Sequence, residues 1–239
     1  MAKAKLSLEK LKELANLMRG YALVSLNCAG SGHSGGSLSI MDVTAALYLS
    51  VAKHDPKNPD WEGRDRIIWS AGHKAPALYV ALAMSGYYPI EETALLRKLN
   101  SKFQGHPHRL ELKGVEVSTG SLGQGFGIGV GMALAAKLNR KRHKVYVITG
   151  DGEWDEGSMW ESAMEASHYR LDNLIVLLDR NYLQIDGNTE TIMKLDPLEK
   201  KLQAFGWQVF PADGHNMAKI LAVLEKAKKV KDKPIAIIF

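Results

Sequence analysis

Val145-Tyr146-Val147-Ile148-Thr149-Gly150-Asp151-Gly152-Glu153-Trp154-Asp155-Glu156-Gly157 decides how this chain folds. The first four residues form an apolar run that reads as a buried strand, and Ser158 to His168 reads as a helix. A strand ending in Gly-Asp-Gly places the Asp151 carboxylate at its carboxyl edge, where open parallel sheets bind ligands. A second strand, Asn173 to Leu178, runs into Asp179-Arg180-Asn181. Asp151 and Asn181 lie thirty positions apart, about one strand–helix–strand unit, and a right-handed crossover returns both to one rim. One carboxylate, one amide oxygen and backbone carbonyls make a partial shell for magnesium, completed by phosphate oxygens and water. Gly-Asp-Gly alone is also an ordinary acidic turn; the Asn at the next strand end is what argues against that reading.

Working outward, Leu6 to Leu26 carries apolar residues at helical spacing, with Ser7 as N-cap and a stop at Asn27-Cys28-Ala29-Gly30. Gly30 to Ser37 is a flexible loop with one histidine, His33. Ser37 or Ser39 caps a helix reaching about Leu49. Asp55 to Pro59 is turn-rich. Arg66 to Ser70 reads as a strand ending in Ala71-Gly72-His73. Ala75 to Met84 and Glu91 to Leu99 read as helices. Ser101 to Thr119 has no period and contains Gly105-His106-Pro107-His108; such long irregular segments are often functional. Leu122 to Asn139 reads as one helix with small faces at Gly123, Gly127 and Gly131, where another backbone or a ligand approaches closely. Gln184 to Asn188 is a turn, Pro197 to Phe205 a helix and Gly206 to Phe210 a strand. Asn216 caps a helix to Val230, and Ile235 to Phe239 is a closing strand. An ending inside an apolar strand reads as a truncation boundary. The alternation predicts an α/β fold: three α/β/α layers around a mostly parallel sheet, residues 1–239 forming a single domain.

The 239 residues suffice for one sizeable core. The formal charge of +5 gathers in lysines at the two ends (Lys3, Lys5, Lys10, Lys12; Lys226, Lys228, Lys229, Lys231, Lys233). Without interleaved aromatics these read as solvated helix faces, so no nucleic-acid partner is expected. A single cysteine, Cys28, excludes a disulfide framework and fits a reducing, cytoplasmic setting. No signal peptide or membrane span is expected: Met1 to Lys12 is charged, and the most apolar window, Ile128 to Ala136, is short.

Other readings of the acidic stretch fail. No Gly-x-x-x-x-Gly-Lys-Ser/Thr occurs, the glycines from Gly123 to Gly131 fall on alternate positions and never give Gly-x-Gly-x-x-Gly, and an EF-hand would need glycine at Glu156 and glutamate at Ser162. His33, His73 and His106 each follow a glycine in a loop or at a strand end. Any one alone is ordinarily an exposed or hydrogen-bonded histidine. Together on an α/β rim they suit phosphate contact or proton transfer near neutral pH. His54, His143, His168 and His215 read as structural or exposed.

Gly30-Ser31-Gly32-His33, Ser70-Ala71-Gly72-His73, Gly105-His106-Pro107, Thr119 to Gly125, Gly150-Asp151-Gly152 with Glu156-Gly157, and Asp179-Arg180-Asn181 occur in the order found in transketolase. The chain resembles the N-terminal, diphosphate-binding domain of that thiamine-diphosphate-dependent family. It is similar to the N-terminal subunit of a split transketolase, with the pyrimidine-binding and C-terminal domains on a separate chain. The resemblance implies that Asp151 and Asn181 ligate a divalent metal by side chain (magnesium, with calcium or manganese as alternatives) and Leu183 by its carbonyl. It implies that Gly152 and His73 contact the diphosphate, that Gly120 and Leu122 contact the aminopyrimidine, and that Ile185 packs near the thiamine rings. The same resemblance implies that Glu156 joins a carboxylate network at the subunit interface and that His33 and His106 face the thiazolium and the donor ketose. The family has an acidic residue where His108 stands.

The activity so implied is transfer of a two-carbon ketol unit from a ketose phosphate to an aldose phosphate. The glutamate that activates the cofactor's pyrimidine belongs to the other chain, so this chain alone is expected to be inactive and an α₂β₂ assembly is implied. Two alternatives stay open: another thiamine-diphosphate enzyme, of the 1-deoxyxylulose-5-phosphate synthase or 2-oxo acid dehydrogenase E1 kind, and a catalytically idle scaffolding subunit.

Overall fold

Two strands with every residue buried carry the architecture: β2 (Val145–Gly150) and β3 (Leu174–Asp179). Their near-continuous apolar sequence is what a parallel strand covered on both faces requires. In the computed structural model, which describes residues 6–185 and 187–239, the chain divides into two compact units. One comprises the described residues up to Arg64, Gly72–Gly120 and Asp213–Ala222; the other comprises Asp65–Ala71, Ser121–Ala212 and Val223–Phe239.

The second unit holds a five-stranded sheet in the order β1-β2-β3-β7-β6, all neighbours parallel. β1 is Arg66–Trp69, β6 Gln208–Pro211 and β7 Ile235–Ile238. The mostly parallel α/β sheet expected from the sequence is therefore present. Gly150 pairs with Asp179, so β2 and β3 end level. The expected turn at Gln184 to Asn188 is a two-residue hairpin, β4 (Leu183–Gln184) with β5 (Gly187–Asn188); its Asp186 lies outside the described residues, as do Lys3 and Lys5. A ring cluster of Phe126, Trp154, Trp160, Phe205 and Trp207, with centroids 5.2–5.9 Å apart, ties the helices of this unit together. The Trp207 indole N–H donates to Ala163 O at 2.9 Å, satisfying a buried polar atom.

The first unit is helical. α1 (Leu8–Ala29) starts at Ser7, whose hydroxyl accepts the Lys10 N–H at 3.2 Å, and ends at Gly30 in the left-handed conformation. It runs three residues past the expected stop because Asn27 and Cys28 tolerate helix and only Gly30 caps it. Its core face is Leu11, Ala15, Met18, Ala22 and Ser25. The next expected helix is broken into α2 (Ser34–Ser39), α3 (Met41–Ala46) and a π-helical turn, Leu47–Val51. Ser37 and Ser39 lie within α2 instead of capping it; the Ser37 hydroxyl donates back to His33 O at 2.8 Å. α4 (Ala75–Met84) matches its expected bounds. The helix expected over Glu91 to Leu99 is only a 3-10 segment, Ile90–Leu95, because Arg97 and Asn100 adopt positive φ and turn the chain back.

In the second unit α5 (Gln124–Leu138) begins after Gly123, whose φ of 79° is open to glycine at little cost. α6 is Gly157–His168; α7 (Thr189–Ile192), which the sequence pattern does not signal, and α8 (Leu198–Ala204) follow. α9 is Met217–Ala227, capped by Asn216, whose side-chain oxygen accepts the Lys219 N–H at 3.1 Å. No helix among the described residues is long and apolar enough to cross a membrane.

The glycine face that the spacing indicates is close-packed at its start, where a Cβ at Gly123 would lie 2.2 Å from the Ser158 hydroxyl, and a second glycine face, on the other side, meets the sheet. A Cβ at Gly125 would lie 2.7 Å from Ser70 Cα, and one at Gly129 2.6 Å from Val147 Cγ2, so these two glycines let the helix approach the sheet. A Cβ at Gly131 meets nothing within 4 Å, and one at Gly127 only the Ser162 hydroxyl, at 3.3 Å. Gly129→Ala should therefore destabilise the chain by about 1–3 kcal/mol through overpacking. Gly131→Ala should stabilise it by up to about 1 kcal/mol through helix propensity. Urea unfolding of the two variants measures both; equal effects of the same sign would refute the assignment of faces.

Candidate functional site

At the carboxyl edge of the sheet, Asp151 directly follows β2 and is 1% exposed. Its backbone N–H continues the strand ladder to Asp179 O at 3.2 Å. Oδ1 accepts the Gly152 N–H at 2.9 Å; Oδ2 accepts the Tyr182 N–H at 2.6 Å and the Arg180 Nη1–H at 3.1 Å. Burial raises the Asp151 pKa above the usual carboxylate range, opposed by the Tyr182 and Gly152 N–H groups and the Arg180 guanidinium.

Arg180 is itself buried. It bonds the Thr189 hydroxyl at 2.8 Å, pairs with Glu190 and Asp196, and lies 4.1 Å from the centre of the Tyr182 ring. Tyr182 adopts φ 62°, a left-handed conformation that costs a side-chain-bearing residue on the order of 1–3 kcal/mol. That conformation delivers its N–H to Asp151. Asn181 Oδ1 accepts the Leu183 N–H at 2.9 Å and its amide donates to Asp179 Oδ2 at 3.3 Å. Gly152 faces Gln184, whose Cβ would sit 3.0 Å from a Cβ placed there.

Asp151, Gly152, Asn181 and Leu183 thus gather at one rim. Their oxygens are hard donors, and Asp151 Oδ1 and Asn181 Oδ1 each carry one hydrogen bond in place of the two they can accept, so the set fits a magnesium-like cation. No group of three or more His, Cys, Asp or Glu among the described residues could hold a metal, so a cation here depends on amide, carbonyl and phosphate oxygens as well. Ile185 is 97% exposed in the hairpin. Glu156 is exposed at the start of α6, its Cβ 3.4 Å from where a Gly123 Cβ would stand, and Leu122 immediately precedes Gly123.

The first unit brings the three expected histidines together. The His33 ring centroid is 5.4 Å from that of His73 and 6.3 Å from that of His106. The His106 ring lies 3.4 Å from the position of a Cβ on Gly120. Gly72, just before His73, is obligatory: a Cβ there would be 2.9 Å from Gly120 N. The segment bearing His106 is held by the Tyr79 hydroxyl, placed 2.8 Å from Gln104 O and 3.2 Å from His106 O. Desolvation lowers the pKa of His33, followed by the charges of Arg97 and His106; desolvation and then Arg97 lower that of His106. Both rings are therefore neutral at pH 7, each able to donate or accept one hydrogen bond to a hydroxyl. His108, where an acidic residue is expected, has a buried Nδ1 with no hydrogen-bond partner among the described residues.

Three participants carry no sequence signal of their role: Arg180, Arg97 and Glu153. Arg180 is visible only as the middle of Asp179-Arg180-Asn181. Glu153, two residues beyond Asp151, stands out in the sequence only as a position of a calcium loop that fails. Arg97 has no local mark at all, since its Nη1 reaches the Ser31 hydroxyl, at 3.2 Å, through tertiary folding.

Comparison with known proteins matches residues 10–239 to a family model described as the transketolase, thiamine diphosphate binding domain. A 6-deoxy-6-sulfo-D-fructose transketolase subunit, SqwG, of Clostridium sp. (strain MSTE9) is 47% identical over 228 residues, covering 95% of this chain and 83% of that protein. An apulose-4-phosphate transketolase subunit of Actinobacillus succinogenes is 40% identical, covering 92% and 80%. The crystal structure of a Campylobacter jejuni transketolase superposes with a TM-score of 0.92 at 36% identity, covering 98% of this chain but only 38% of that one.

Replacing Arg97 by glutamine removes a positive charge beside two imidazoles. The titration midpoints of His33 and His106, followed by NMR, should both rise. Because both folded-state pKa values lie below the unfolded value of about 6.5, the unfolded chain takes up protons first as pH falls. Stability from these two groups is therefore lost on acidification below about pH 7, and Arg97→Gln should reduce that loss. Unmoved midpoints would refute the coupling.

Proposed function

The chain belongs to the transketolase family as its thiamine diphosphate-binding domain, and from that we propose that it is the N-terminal subunit of a split transketolase dependent on thiamine diphosphate and magnesium. One observation carries the reading: Asp151 and Asn181 leave level ends of two paired parallel strands, at the rim where this fold class binds ligands. The two relatives named as transketolase subunits, 47% and 40% identical, support the split form. The chain spans 83% and 80% of the two subunit relatives, against 38% of the solved transketolase. On this reading residues 1–239 are one functional domain, the pyrimidine-binding and C-terminal domains lie on a partner chain, and the assembly is α₂β₂ in the cytoplasm. The exposed apolar residues Leu183, Ile185, Ile192 and Met193 along one segment are suited to such a partner.

Thiamine diphosphate, when bound, supplies the carbon nucleophile that carries the two-carbon ketol unit from donor to acceptor. Asp151, Asn181 and the Leu183 carbonyl would hold magnesium, and the Gly152 N–H and His73 the diphosphate. Gly120 and Leu122 would line the aminopyrimidine, Ile185 would cover the thiamine rings, and Glu156 would enter a carboxylate network with the partner. His33 and His106, neutral at pH 7, would hydrogen-bond the donor's hydroxyls and move a proton between sugar oxygen and imidazole nitrogen. The relatives' names set the donor panel: ketose phosphates, 6-deoxy-6-sulfo-fructose and apulose 4-phosphate, with pyruvate as the control for other enzymes of the cofactor class.

The partnered chain should transfer a ketol unit from at least one of these sugars, and the chain alone should not turn over. Asp151→Ala should weaken magnesium-dependent thiamine diphosphate binding by about 100-fold or more, and Asn181→Ala by about 10- to 100-fold. Calorimetry and a coupled donor assay read the two. Turnover by the isolated chain would sink the split-subunit reading; pyruvate as sole donor would move the protein to another thiamine-diphosphate activity; binding without turnover of any donor would mark a scaffolding subunit.

A further inference from the structure

Glu153 has no part in the assignments above, yet it is the buried carboxylate on which three segments of the sheet's carboxyl edge converge. It is 2% exposed. Its Oε1 accepts the Ser70 hydroxyl at 2.5 Å and the Gly123 N–H at 2.9 Å, and its Oε2 accepts the Gly150 N–H at 3.3 Å. Ser70 follows β1, Gly150 ends β2 directly before Asp151, and Gly123 follows Leu122 and opens α5. Burying a carboxylate is costly unless donors surround it, and an apolar side chain would fill the same volume more cheaply if packing were all that was needed.

The surroundings leave the Gly123 turn little freedom besides this bond. A Cβ at Gly123 would lie 2.2 Å from the Ser158 hydroxyl, and one at Gly125 would strike Ser70 Cα. The backbone of the turn is therefore wedged between α6 and the end of β1, and Glu153 sets where its N–H points. The same carboxylate sets Gly150, and so the start of the Asp151 rim. The Leu122–Gly123 turn and the Gly150–Asp151 strand end are thus held at a set separation by one side chain.

We infer that Glu153 is a positioning residue for thiamine diphosphate: it spaces the turn that meets the aminopyrimidine from the strand end that carries metal and diphosphate. The inference rests on the cofactor reading above. A cofactor gripped at two ends by one protein binds well only when the two grips are correctly spaced, so loss of the spacer weakens cofactor binding while leaving the sugar contacts alone.

The test has two arms. In this chain by itself, amide hydrogen exchange at Gly123 should accelerate in Glu153→Ala and stay near wild type in Glu153→Gln, because the amide oxygen can keep the Ser70 and Gly123 bonds, whereas exchange at Gly150, whose acceptor Oε2 is lost in both variants, should accelerate in both. In the assembled two-subunit enzyme, Glu153→Ala should raise the KM for thiamine diphosphate by about 10- to 100-fold, with the sugar donor's KM unchanged. Glu153→Gln should recover to within about fivefold of wild type, the cost of one long hydrogen bond. Ser70→Ala, which removes a single bond and leaves the backbone donors in place, should fall between them and reads the effect if Glu153→Ala does not fold. Unchanged cofactor KM in a folded Glu153→Ala, or Glu153→Gln and Ser70→Ala that raise donor and cofactor KM alike, overturns the inference. A wild-type assembly with no dependence on thiamine diphosphate overturns the cofactor reading itself, a result the variants cannot produce.

Discussion

The ladder between β2 and β3 is the constraint on which the rest depends. It runs from Val145 opposite Leu174 to Gly150 opposite Asp179, with every residue of both strands buried. Parallel strands in level register deliver the residues that follow them to the same rim, so Asp151 meets the segment that carries Asn181, bonded by Arg180 and Tyr182 on either side of it, although thirty positions separate Asp151 from Asn181. A slip of one residue would reverse every side chain of the slipped strand and separate the pair. β1 and β7 extend the same logic outward. Ser70 leaves β1 within reach of Glu153, and Phe239 at the end of β7 accepts the Arg180 N–H at 3.0 Å. The rim is thus the common end of four strands, each holding a neighbour's loop.

That rim concentrates charge where charge is expensive. Asp151, Glu153 and Arg180 are all buried, and each is compensated by several hydrogen bonds instead of one partner. Removing one member of such a buried pair typically costs about 3–5 kcal/mol, because the other is left uncompensated. Exposed pairs such as Lys10 with Glu13 contribute about 0–1 kcal/mol. The strained Tyr182 backbone belongs to the same arrangement, trading conformational cost for an N–H aimed at Asp151. A rim built this way is ordered before any ligand arrives, which spares binding the entropy of assembling it.

Where periodicity and punctuation are local, the elements are legible in the sequence. The Ser7 cap and the Gly30 stop bracket α1, α4 falls at its expected bounds, and Asn216 caps α9. Legibility fails where distant residues decide. The break at Ile40 and the π-helical turn at Leu47–Val51 interrupt an otherwise helical pattern. The Glu91 to Leu99 pattern yields to the positive φ of Arg97, whose N–H donates to Phe103 O at 2.8 Å. Alternate glycines at the start of α5 offer two candidate small faces, and spacing alone singles out one of them, which meets the Ser158 and Ser162 hydroxyls at Gly123 and Gly127. The approach to the sheet is at Gly125 and Gly129, because that side meets Ser70 and Val147.

By itself the sequence determined the strand–helix alternation, the Gly-Asp-Gly and Asp-Arg-Asn strand ends, the three Gly-His loops and, through their order, the family. Those signals survive in one dimension because each depends on neighbours within one turn or one crossover. Only the tertiary structure decided that His33, His73 and His106 share one cluster with Arg97 beside it, that Arg180 pairs with Asp151, and that Glu153 spans Ser70, Gly123 and Gly150. These depend on strand register and on how closely backbones approach, and no residue encodes either until the chain has folded around it.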